Sequence, residues 1–140
     1  MRRGDKLTVE AVLAFLGLAI SIYLTAYHYA GVPLYCESGS LINCGNVLNS
    51  RFATLLGLPV AIYGVAFFCI DLLLIYLKNE EYLMYMNLLG AMVALGLIYS
   101  ETVLGQICEY CTAVHIIVFT LLAFSVMKKR EYRFPIFGKS

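Results

Sequence analysis

Apolar residues in this chain do not alternate or recur as narrow stripes. They come in four long blocks separated by short polar segments. The first runs from about Ala11 to Ala30, the second from about Phe52 to Leu77, the third from about Tyr82 to Leu104 and the fourth from about Ile107 to Met127. Blocks of about 20 apolar residues are the length that crosses a bilayer as a helix. At a rise of 1.5 Å per residue these blocks predict helices of roughly 30–39 Å, enough to span the hydrocarbon with some tilt. Barrel strands are excluded, because they would be shorter and would alternate. Arg2 and Arg3 precede the first block as in a signal peptide. The block is long for a signal h-region, however, and no small-x-small cleavage site follows it, so it is read as a helix.

Composition strengthens this picture. Of 140 residues, 61% are hydrophobic and 14% charged, and mean hydropathy is +0.82. Soluble domains carry about 25% charged residues. The net charge of +1 gives no chain-wide basic signal for nucleic acid. The expectation is one all-α membrane domain over residues 1–140, a four-transmembrane-helix bundle with an outer loop at 31–51.

The basic residues orient it. Arg2, Arg3 and Lys6 precede the first block, Lys78 lies between the second and third, and Lys128, Lys129, Arg130, Arg133 and Lys139 follow the fourth. Arg51 stands alone on the other side. The positive-inside rule then puts both termini in the cytoplasm of a cell membrane protein. The 31–51 loop and the turn at Gly105-Gln106 face outward.

That orientation gathers chemistry at one face. Cys36 and Cys44 lie in the outer loop, and Cys108 and Cys111 at the start of the fourth block, on the side where disulfides persist. Cys69, within the second block, reads as a small apolar residue. Residues i and i+3 share a helix face, so Cys108 and Cys111 can pair. A helix N-terminus favours a thiolate. Cys111 is about 4.5 Å deeper along the axis, and His115 continues the same face. One thiol nearer water and one nearer lipid suits a relay between a water-side donor and a lipid-soluble acceptor.

The loop segment "INCGNVLNSRF" interleaves polar and apolar residues, as an interfacial lid would. Gly39 and Gly45 would let that lid bring Cys44 towards Cys108, as thiol–disulfide exchange requires. Other readings stay open on these residues: a rigid Cys36–Cys44 disulfide, or a Cys₄ zinc site. Zinc would leave a net charge of about −2 beside hydrocarbon, and seven residues between Cys36 and Cys44 exceed the usual spacing of about two to four. Glu109 reads as a solvated spacer, Glu101 as an interfacial residue with a fallback role as proton source, and Asp71 as reaching the cytoplasmic interface.

The Cys36-x7-Cys44-x5-Ser50 pattern, Gly57, Pro59 and Gly64 in "LLGLPVAIYG", and the Cys-x-x-Cys opening the last helix resemble the vitamin K epoxide reductase family. The likeness runs from the first helix to the fourth. It implies a four-helix bundle enclosing a quinone pocket, capped by the loop and its half-helix. It also implies a quinone of menaquinone, ubiquinone or vitamin K type. Cys36 would meet a partner's thiol, Cys44 would pass electrons to Cys108, and Cys111 would face the quinone. Ser50 would lie by the pocket, and His115 falls where some relatives carry a quinone-bonding tyrosine. Where relatives often have a quinone-bonding asparagine, four residues before Gly64, this chain has Val60. The chain is similar to the small prokaryotic type without a fused thioredoxin-like domain, so its thiol partner would be a separate thioredoxin-like protein. Reduction of vitamin K epoxide would use the same cysteines. The bacterial quinone-linked oxidases of periplasmic thiol oxidants carry their Cys-x-x-Cys in the first outer loop, the reverse of the order here.

Overall fold

The computed structural model describes residues 3–31, 51 and 54–133. Its elements are α1 (Arg3–Ala30), a hairpin of β1 (Thr54–Leu55) and β2 (Leu58–Pro59), α2 (Val60–Tyr76), α3 (Glu80–Leu104) and α4 (Glu109–Arg133). Cys36, Cys44, Ser50 and the expected lid and half-helix lie outside the described residues.

The helices form a ring in which α1 packs on α2 and α4, and α3 packs on α2 and α4. Thus α1 and α3 face each other diagonally, as do α2 and α4. α1, α3 and α4 are long and apolar enough to cross a membrane, over Gly4–Ala30, Glu80–Leu104 and Glu109–Arg130. The second helix is shorter than the sequence suggests, covering Val60–Tyr76 rather than 52–77. Thr54 pairs with Pro59 and Leu55 with Leu58, while Leu56 (φ 54°) and Gly57 (φ 81°) turn the chain. Positive φ at both central residues is the geometry that fits the twist of a two-residue hairpin. The Tyr63 hydroxyl donates to the Leu55 carbonyl at 3.0 Å and ties this hairpin to α2.

Short caps make neighbouring helices antiparallel. α2 ends with Lys78 at φ 55°, where the Lys78 amide donates to Ile75 and the Asn79 amide to Leu74. This is a Schellman turn with lysine in the position glycine usually holds. Asn79 then caps α3 by accepting from the Tyr82 amide. At the far end of α3 the same motif recurs with Gly105 at φ 70°. The Gly105 amide donates to Thr102 and the Gln106 amide to Glu101.

The bundle's outer surface is greasy all round: Phe15, Leu16, Ile22, Leu73, Leu88, Met92, Leu95 and Ile116 are exposed. A surface of this kind is stable facing lipid rather than water. Cys69 is also exposed, on that apolar exterior rather than in the core. Inside, Phe68 packs with Ala14, Leu83, Ala91, Val118 and Leu121. The Phe68 ring lies so close to Gly17 of α1 that a Cβ there would fall within it.

Beyond this apolar layer, towards the basic end of the bundle, each helix buries a polar side chain. Glu10 of α1 forms an ion pair with Lys128 of α4. The Asn87 amide of α3 donates to the Ser125 hydroxyl of α4 at 2.9 Å. Asp71 of α2 is fully buried, and neither of its carboxylate oxygens has a hydrogen-bond partner. The expectation that Asp71 reaches the cytoplasmic interface is therefore corrected: it is enclosed within the bundle.

Candidate active site

The Schellman turn at Gly105 brings the chain back on itself within four residues and starts α4 at Glu109. Cys108 therefore precedes the helix instead of lying in its first turn, because it is the cap. Its carbonyl accepts the Thr112 amide at 2.9 Å, and its Sγ accepts the Cys111 amide at 3.4 Å. The sulfur thus fills the place usually taken by a serine or aspartate oxygen.

Both cysteines are free thiols; Cys108 is buried and Cys111 partly so. Hydrogen bonding from the Cys111 side chain lowers the Cys108 thiol below its ordinary value. The amides of Cys111 and Tyr110 add to this, against the opposing effects of burial and the Glu101 charge. The capping position, one residue before the apolar span, thus favours a thiolate. Glu109 between the two thiols points outward and is exposed. The Tyr110 ring meets Tyr23 edge-on, with centroids 5.5 Å apart, and fastens this end of α4 to α1.

Beneath the cap lies a cavity of about 370 Å³ whose wall includes Cys111, His115, Val60 and Glu101. Of the residues singled out in the sequence, Cys111, Val60 and His115 therefore line one cavity; Cys108 stands just above it. His115 is buried one turn below Cys111. Val60, at the start of α2, faces the space from the helix diagonal to α4. Ile70, Leu89 and Val93 line the cavity and are also exposed on the bundle exterior, so it opens sideways between α2 and α3.

Glu101 departs from the interfacial role expected of it: it is 8% exposed and lines the cavity. It sits one turn before the end of α3, where the Schellman turn folds the cysteine segment over it. Tyr27, His28 and Tyr63 also line the cavity and were not singled out in the sequence. Their signal was weak, since tyrosine is common at membrane interfaces on any face of a helix.

A bundle with an apolar, laterally open cavity and a thiol pair at the cavity's capped end is an arrangement suited to membrane redox chemistry. The family whose model matches residues 8–126 is the vitamin K epoxide reductase family, and the chain belongs to it. That family uses quinones, and the cavity suits one. Its wall is mostly apolar, as a ring with a lipid tail requires, with a few polar groups, among them Glu101 and His115, able to meet ring oxygens.

Proposed function

We propose that this protein is a thiol–disulfide oxidoreductase that passes electrons from an external dithiol, through two cysteine pairs, to a quinone. The observation that carries this reading is Cys111 in the wall of an apolar, laterally open cavity, beside a capping thiol poised to ionise. α2, at 17 residues, completes a four-helix membrane domain with the cysteine end outward. The run of basic residues in Lys78 and Lys128–Arg130 supports that orientation.

In this scheme a separate thioredoxin-like partner attacks the Cys36–Cys44 disulfide through its thiolate and leaves oxidised. The loop dithiol then reduces the Cys108–Cys111 disulfide, with Cys44 attacking Cys108. Each exchange conserves electrons, one disulfide breaking as another forms. A quinone supplies the final sink, accepting two electrons and two protons. Ser50 would support the loop near the pocket, while Val60 and His115 would contact the ring from opposite sides. The net product is a disulfide made outside the cytoplasm.

The test is quinone reduction by protein purified in detergent, with a reduced thioredoxin-like domain or a small dithiol as donor. Cys111→Ala should abolish reduction with either donor. Cys36→Ala should lose only the protein donor. Stoichiometric zinc with no quinone reduction by the wild type would overturn the scheme.

A further inference from the structure

Two electrons reaching a quinone must be joined by two protons, and the structure limits where those can come from. The buried polar layer at the basic end is one candidate source. Glu10, Asp71, Asn87, Ser125 and Lys128 are all absent from the cavity wall. Between them and the cavity lies Phe68, fully buried and seated against Gly17, with Ala14, Ala91, Val118 and Leu121 packed around it. An apolar layer of this kind offers no side-chain donor or acceptor to relay a proton.

Among the described residues, the titratable groups that line the cavity are Tyr27 and His28 from α1, Tyr63 from α2, Glu101 from α3, and Cys111 and His115 from α4. Among them Glu101 has a particular position. It lines the same cavity as Cys111, and its charge opposes ionisation of Cys108 at the capping position. Its own carbonyl accepts the Gln106 amide at 3.3 Å in the turn that leads to Cys108. One carboxyl thus adjoins both the thiol pair and the space for the acceptor.

Resting on the function proposed above, we infer that Glu101 carries the thiol protons of Cys108 and Cys111 to the quinone oxygens. Electrons and protons then leave the dithiol together and none is drawn from the basic end. A protonated Glu101 gives its proton to an acceptor oxygen and takes one back from a thiol. Two such passes, with two S–H bonds broken and one S–S bond formed, move two protons and two electrons. Glu101 ends as it began. The reaction step is electroneutral across the membrane, and general acid catalysis of this kind contributes about 100-fold or more to rate.

The test uses the full chain with Glu101→Gln and Glu101→Asp, a small dithiol as donor and a soluble short-tailed quinone. Glu101→Gln should lower quinone reduction about 100-fold, and Glu101→Asp should recover a large part of it. Without quinone, Glu101→Gln should also shift the pH profile of Cys108 alkylation to lower pH, because a negative neighbour is gone. In proteoliposomes, wild-type turnover should generate no membrane potential. Wild-type rates in Glu101→Gln, or loss in His115→Phe alone, would overturn the assignment. So would a potential that grows with turnover. Failure of the wild type to reduce quinone would instead strike the proposed function, while the Cys108 alkylation shift still reports on Glu101.

Discussion

The Cys111 amide donates to the Cys108 sulfur at 3.4 Å, so one cysteine of the pair caps the helix that carries the other. The capping bond and the Cys111 side chain both favour negative charge on Cys108. A lowered thiol value means that the reactive thiolate persists to more acidic pH. Alkylation of Cys108 in the reduced protein should therefore reach half its maximal rate at a lower pH than that of an ordinary thiol. Cys111→Ala removes the side-chain bond and keeps the amide, so the midpoint should move part of the way back up. Mass spectrometry of protein pulse-labelled across a pH series reads both shifts.

At the other end of the bundle, the buried Glu10–Lys128 pair joins α1 to α4, and Asp71 lies beside it with both oxygens unpartnered. Removing one member of a buried pair strands the other charge at a cost of about 3–5 kcal/mol. Lys128→Met should therefore lower the thermal unfolding midpoint in detergent substantially. Asp71→Asn should raise it, since a neutral amide is cheaper to bury than an unpaired carboxyl. An unchanged midpoint in both variants would mean that water reaches this layer.

Helix packing is held by close contacts that tolerate little added volume. A methyl at Gly17 would overlap the Phe68 ring. Gly17→Ala should destabilise the protein by about 1–3 kcal/mol, the usual cost of overpacking. Phe68→Leu in the same background should restore part of that loss. The comparison needs only unfolding midpoints of the two variants and the wild type.

The parts of this structure that sequence reveals are those governed by hydropathy and by short-range geometry. The apolar blocks locate three of the helices, although α1 begins at Arg3 and α4 runs on to Arg133 beyond them, and Gly105 marks the turn that ends α3. The second helix is shorter than its apolar block because Leu55, Leu56 and Leu58 extend that block through a hairpin. Hydropathy does not register the positive φ values that break a helix there. Glu101 and Asp71 differ from expectation for another reason. Whether a carboxyl near a helix end meets water depends on which neighbour covers it, and no local pattern encodes that. The pairing of Cys108 with a helix cap was half legible: the spacing placed both thiols on one face, but only the turn geometry makes Cys108 the cap.

Val60 and His115 face the cavity from diagonally opposed helices, which makes the pocket's polarity lopsided. In the proposed function His115 would offer a ring nitrogen to one side of the quinone, while Val60 would offer only methyl groups to the other. Asparagine at position 60 would add an amide donor on the apolar side. It would do so at the first turn of α2, where asparagine disturbs a helix little. One added neutral hydrogen bond contributes about 1 kcal/mol, so Val60→Asn should tighten quinone binding by roughly five-fold. His115→Phe should weaken it by a similar factor, while His115→Tyr, which keeps a donor, should retain most of it. The measurement is a quinone titration of protein whose cysteines are oxidised, so that binding is read without turnover. Equal affinities in all four proteins would show that the ring oxygens meet neither position.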